Sequence, residues 1–181
     1  MPARNTIDTY GSVSIFFHWL IFALVVCMLI AGATMDDITN KTLQSNVYVL
    51  HKSFGLTIFT LVVLRLIWKW MNPRPNFPAN LSPFIKFSAK FVHFLLYICL
   101  FVMPLSGWLM SSFAHKPTNF FWLFNANLPL TVNEPLAKSI KEIHETTAWI
   151  FTGLILLHAL GGLIHHYVLK DNVLKRMLGS K

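Results

Sequence analysis

Polar residues along this chain are confined to short breaks between four long apolar runs. The first spans roughly Val13 to Met35 and carries His18 as its one strongly polar interruption. The second spans roughly Val47 to Trp70, with His51, Lys52 and Arg65 near its ends. The third spans roughly Phe87 to Ser111, with His93 near its start and Pro104 in its last third. The fourth spans roughly Ile143 to Leu169. Each is long enough to cross a hydrocarbon layer about 30 Å thick as a helix. The pattern predicts an all-α integral membrane protein, a four-helix transmembrane bundle occupying residues 1–181 as one domain. No signal-peptide pattern precedes the first run: the stretch through Tyr10 includes Asp8, and Arg4 is its one fixed basic residue.

Composition supports this reading. Of 181 residues 55% are hydrophobic and 12% charged, against about 25% charged in a soluble domain. The formal net charge of +8 raises nucleic acid as a partner, but the basic residues flank apolar runs, which excludes it. They speak instead to orientation. An even number of spans leaves both termini on one side, with Arg4, Arg65, Lys69, Arg74, Lys86, Lys90, Lys170, Lys175, Arg176 and Lys181. Lys41, Lys52, Lys116, Lys138 and Lys141 fall on the other side. The positive-inside rule therefore predicts cytoplasmic termini and a cytoplasmic linker, Met71–Pro83, irregular because of its four prolines. The outer loop from Ser112 to Lys141 contains PTNFFWLFNANLPL and is expected to lie at the interface and cap the bundle. Cys27 and Cys99 fall inside apolar runs and read as small packing residues, not a disulfide.

The histidines carry the chemistry. His144 and His158 are fourteen residues apart, close to four helical turns, so they share a face about 21 Å apart along the axis. Ionisable side chains at such depths are costly and need a partner. His18 comes early in a helix entering from the cytoplasm, which puts it on the inner half. His51 comes early in a helix entering from outside, which puts it on the outer half. Depth then pairs His51 with His144 and His18 with His158, although His165, one heptad further along, competes for the inner place. Each pair joins two helices at one level, as bis-imidazole ligation of a porphyrin iron requires. Gly55 and Gly153 are small enough to let a macrocycle approach, or helices to pack closely. Lys52 and Arg65 suit snorkelling to headgroups or, alternatively, pairing with haem carboxylates. His93 and His166 read as interfacial, either against headgroups and water or lining a quinone pocket. His115 reads as solvated.

The stretches FHWL around His18, LHKSFG around His51, EIHETTAWIFTGLILLHAL around His144 and His158, and HHYVLKDNVLKRMLG at the end together resemble the bacterial di-haem cytochrome b561 family over essentially the whole chain. The resemblance implies two haem b groups. Their axial ligands would be His18, His51, His144 and His158, with His158 preferred over His165 and none from the third helix. It also implies a bacterial inner-membrane oxidoreductase that passes electrons from a periplasmic donor, superoxide being the candidate, to ubiquinone in the respiratory chain. Doubly ligated iron leaves no open position for substrate, and there is no CxxCH, no GxGxxG opening a helix and no cysteine cluster. The expected partners are membrane lipid, quinone and a small donor or redox protein. A second reading makes the chain the haem-bearing membrane anchor of a dehydrogenase or hydrogenase. A third, a zinc or copper transporter, is weaker because zinc takes three or four donors and each pair supplies two.

Overall fold

The computed structural model describes residues 1–78 and 81–179. Four long helices dominate: α1, Ser12–Thr34; α2, Lys41–Trp70; α3, Pro83–Phe113; and α4, Glu134–Tyr167. All four are long and apolar enough to cross a membrane. Three begin earlier than their apolar runs, because the signals that start a helix lie in the polar sequence ahead of it. Asn40, Ser82 and Asn133 each turn a side-chain oxygen onto a backbone N–H of the first turn, at Leu43, Ile85 and Leu136. Proline follows the latter two caps, where its missing N–H costs nothing. The 34 residues of α4 make about 51 Å of helix, so its first turns project beyond the hydrocarbon. Lys138 and Lys141, assigned to the outer loop on sequence, are therefore helical, and Lys141 pairs with Glu145 at 3.3 Å.

The apolar surface faces outward as well as inward. No more than 22% of any spanning window is buried inside the protein, and Phe16, Trp149 and Leu160 are among many large side chains left exposed. Such continuous apolar surface requires lipid around it. Inside, Ile21, Val25, Ile58, Val62, Cys99, Leu100 and Phe151 form one small core. Cys99 joins that core, whereas Cys27 is exposed. Helices pack in sequence order, α1 on α2, α2 on α3 and α3 on α4. By contrast α4 has little backbone contact with α1 or α2, although it faces both.

The two ends of the bundle differ. At one end the N-terminal segment, the linker after α2 and the short helix α5, Val173–Leu178, are tied together. Asn5 receives Gly11 N–H and the Ser14 hydroxyl and donates to Pro73 O. Trp19 Nε1 donates to Met177 O at 2.8 Å, and Arg176 donates to Asn76 O at 2.7 Å. The linker is irregular through Pro78, as expected, with residues 79 and 80 outside the described residues. The N-terminal segment and α5 thus lie at the same end of the bundle.

At the other end, the loop expected to cap the bundle does so through a hairpin that the sequence reading did not foresee. Strands β1, Asn119–Phe120, and β2, Phe124–Asn125, pair antiparallel. The turn places Phe121 and Trp122 at φ 46° and 60°, a conformation that costs roughly 1–2 kcal/mol for a side-chain-bearing residue. Contacts to α2 hold it. Ser53, wholly buried, accepts Phe121 N–H at 2.8 Å and lies 3.1 Å from Asn119 O. Phe54 packs edge-on against Phe121. Lys52 donates to Pro117 O at 2.7 Å, so its ammonium fastens this loop. Trp108 of α3 donates to Ala126 O from the other side. Ser53→Ala would leave the Phe121 N–H buried without an acceptor, at a cost of about 1–3 kcal/mol. We expect faster hydrogen exchange and proteolysis across residues 116–130, with the helical circular dichroism unchanged.

Candidate functional site

Every long helix carries a triplet of residues at seven-residue steps that faces the bundle axis, each step rising about 10 Å. In α1 these are His18, Val25 and Gly32; in α2, read in reverse, Arg65, Ile58 and His51. In α3 they are His93, Leu100 and Gly107; in α4, again in reverse, His158, Phe151 and His144. The chain thereby stacks three layers. Val25, Ile58, Leu100 and Phe151, all under 8% exposed, fill the middle. Polar groups occupy the layers on either side. That apolar floor separates two sites of different construction.

The layer nearer the hairpin holds His51 of α2 and His144 of α4, ring centroids 6.5 Å apart and planes 68° apart. A metal bound at about 2.0 Å from a nitrogen of each ring needs centroids roughly 6 Å apart. The two remaining helices present glycines. A Cβ on Gly32 would lie 3.2 Å from His51 Cε1, and one on Gly107 would lie 3.2 Å from His144 Cε1. Those glycines are notches that seat the imidazoles, a role the sequence reading did not find. His144 Nδ1 donates to Met103 O at 3.0 Å and lies 3.0 Å from Ser106 Oγ, whose own proton goes to Val102 O. That fixes the proton on Nδ1 and leaves Nε2 with its lone pair, as ligation requires. His51 Nδ1 is buried without a hydrogen-bond partner. Between the rings and the apolar floor lies a cleft of ≈ 450 Å³ lined by Val25, Ile58, Leu100, Phe151, Met103 and Gly55, among others. Gly55 has open space where a Cβ would stand, so its predicted place beside a macrocycle fits. Gly153 does not share it: the residue is exposed, turned away from the cleft. The residues present fit a flat, apolar, doubly ligated group such as haem.

The layer nearer the chain termini brings His18 of α1 to His158 of α4, centroids 6.1 Å apart and planes again 68° apart. Here the other two helices carry polar side chains where the first layer has glycines. Arg65 of α2 places Nη2 3.1 Å from His18 Nδ1. His93 of α3 packs edge-on against His158 at 5.0 Å. The sequence reading placed His93 near the cytoplasmic interface, apart from the inner pair; the structure brings it beside His158, because α3 starts at Pro83 and has made almost three turns before His93. Arg65 likewise faces inward to His18 and Tyr97, not outward to headgroups. His165, the competing residue, is bound 2.5 Å from Asp171 at the turn before α5. His166 packs on Tyr167 with its Nδ1 buried and unpartnered. His115 is exposed at the end of α3. Among the described residues no three metal-donor side chains converge on one point.

The glycine notches yield a test. Gly107→Val pushes a branched side chain into the His144 ring, and haem bound per chain should fall, as read by pyridine haemochrome. Gly153→Ala adds a methyl on the face of α4 turned away from His144 and should leave haem content unchanged.

Comparisons with known proteins agree with this architecture. The chain matches the family described as Prokaryotic cytochrome b561 across residues 9–180. It is 32% identical to Cytochrome b561 homolog 2 of Escherichia coli (strain K12), covering 99% of this chain and 96% of that protein. It is 31% identical to Cytochrome b561 homolog 1 of the same organism, covering 94% and 97%. Identity to the probable superoxide oxidase CybB of Yersinia pestis is 30%, covering 95% and 97%. A family of b-type cytochromes implies haem, transmembrane electron transfer and a prokaryotic membrane, and four apolar helices with facing imidazoles are what that work needs. The chain belongs to the prokaryotic cytochrome b561 family.

Proposed function

We propose that this protein carries electrons across the bacterial inner membrane through two haem b groups, one held by His51 and His144 and the other by His18 and His158. The observation that carries this reading is the repeated imidazole pair: two pairs at a ligating separation, on opposite sides of an apolar layer. When bound, each haem supplies a reversible one-electron couple with no open coordination position. The protein does the rest. It holds the imidazoles in register, keeps water out of the middle layer and sets the charge around each level. The end bearing the termini carries the larger share of basic residues, which supports placing it in the cytoplasm.

For the donor we propose superoxide, and for the acceptor ubiquinone. Two superoxide anions are oxidised to two molecules of dioxygen, and their two electrons with two protons convert ubiquinone to ubiquinol. Support for the donor comes from the name borne by the Yersinia pestis relative. Local charge adds little: at the hairpin end Lys41, Lys52 and Lys141 are engaged with Gln44, Pro117 O and Glu145. Lys116 and Lys138 are left as exposed cations near that mouth.

Dithionite should give sharp α and Soret bands at two haems per chain. His51→Ala or His144→Ala should halve the haem content, as should His18→Ala or His158→Ala, with the other level intact. Full haem in any of these variants would refute the ligand set. Mixed with superoxide in a stopped-flow instrument, oxidised protein should be reduced far faster than superoxide disappears spontaneously. Reduction at the background rate would remove superoxide as donor.

A further inference from the structure

The layer near the termini contains a contradiction that its own chemistry resolves. Arginine has only N–H donors, so the 3.1 Å contact from Arg65 Nη2 makes His18 Nδ1 the acceptor. A neutral imidazole has one N–H, which then sits on Nε2. Ligation through Nε2 needs the proton on Nδ1 instead, where it would point at the Arg65 N–H groups. His18 cannot keep Arg65 and take a metal at once.

Once released, Arg65 needs an acceptor, and its neighbours Tyr97 and His93 offer neutral atoms rather than a negative charge. Its guanidinium lies 5.8 Å from the Tyr97 ring, which Lys69 Nζ already covers at 4.2 Å. Of the ion pairs formed among the described residues, Lys141 with Glu145 lies at the other end, and Asp171 at this end is taken up by His165. Tyr10, beyond the start of α1, senses the same field: burial raises its phenol from the ordinary value of 10.0, and Arg176, Arg65 and Arg74 oppose that rise. This end of the bundle is short of negative charge. The other level has no counterpart, since Gly32 and Gly107 stand beside its imidazoles and Lys52 is committed to Pro117 O.

We propose that Arg65 is a carboxylate clamp of the site near the termini, exchanging its contact with His18 for one of the porphyrin's propionates. The inference rests on the haem assignment made above. In the exchange the His18 proton passes from Nε2 to Nδ1, so no proton is gained or lost overall. Arg65 stays charged and trades a neutral acceptor for an ionised one, which makes the stronger hydrogen bond. Loading at this level therefore depends on free carboxylates, and loading at His51 and His144 does not depend on Arg65.

The test uses haem-depleted full-length protein in neutral detergent, titrated with protohaem IX or with its dimethyl ester, which lacks ionisable carboxylates. The bis-imidazole Soret band is the readout. Wild type should bind two equivalents of protohaem, but the second equivalent of ester should bind at least about tenfold more weakly than the first. Arg65→Met should weaken the second protohaem equivalent to match the ester, and Arg65→Lys, which keeps the charge, should recover part of the difference. The first equivalent, at His51 and His144, reports in every variant that the bundle is folded. Wild type that takes two equivalents of ester as tightly as protohaem would overturn the clamp and leave a lipid phosphate as the acceptor. So would Arg65→Met that still distinguishes the two porphyrins. No bis-imidazole band with either porphyrin would overturn the haem assignment itself, an outcome separate from both.

Discussion

A polar ring placed in hydrocarbon must be given a partner, and this bundle is organised around meeting that demand. Leaving one buried hydrogen-bonding group unmet costs roughly 1–3 kcal/mol in a protein interior, and lipid offers no water to offset it. Each of the four paired imidazoles faces another across the bundle. His144 donates to Met103 O, His18 meets Arg65 and His158 meets His93, whereas His51 sits in the Gly32 notch with its Nδ1 unmet. The separation of α4 from α1 and α2 follows from the same demand. Four helices packed tightly all round would leave no space between the rings, so the bundle closes on three contacts and stays open on the face where the histidines meet.

The seven-residue step gives the protein one design used twice with different fillings. Two helical turns separate the layers, so a side chain chosen at one level has a counterpart above or below it. At the hairpin end the unused helices contribute glycine, which makes room and adds no charge. At the terminal end they contribute a guanidinium and an imidazole, which crowd the site and polarise it. Between them Val25, Ile58, Leu100 and Phe151 form a dry floor. Electrons can pass through such a layer, whereas water and ions are kept out.

Much of this was legible in the sequence, for identifiable reasons. Four spans could be counted because the apolar runs are long and uninterrupted. The meeting of His51 with His144 follows from depth once an up-and-down order is assumed, whereas depth left His18 between His158 and His165, and the family resemblance preferred His158. Helix starts were set too late because Asn40, Ser82 and Asn133 act through capping, which leaves no trace in hydropathy. That error hid His93: with α3 begun at Phe87 it sits at an edge, and with Pro83 it falls level with His158. Glycine was sought beside the histidines in sequence, at Gly55 and Gly153, whereas Gly32 and Gly107 reach their imidazoles from neighbouring helices. No periodicity within one segment could reveal that. The hairpin was equally hidden, since a Phe-Trp turn violates the usual preference for Asn and Gly and is held by Ser53 from another helix.

The central claim is that each level clamps one iron between two imidazoles. Electron paramagnetic resonance of the oxidised, purified full-length protein addresses it most directly. With both ring pairs turned 68° apart, all the iron should appear as strongly anisotropic low-spin ferric haem, integrating to two spins per chain. A substantial high-spin signal, or one spin per chain in protein that is fully loaded, would contradict it.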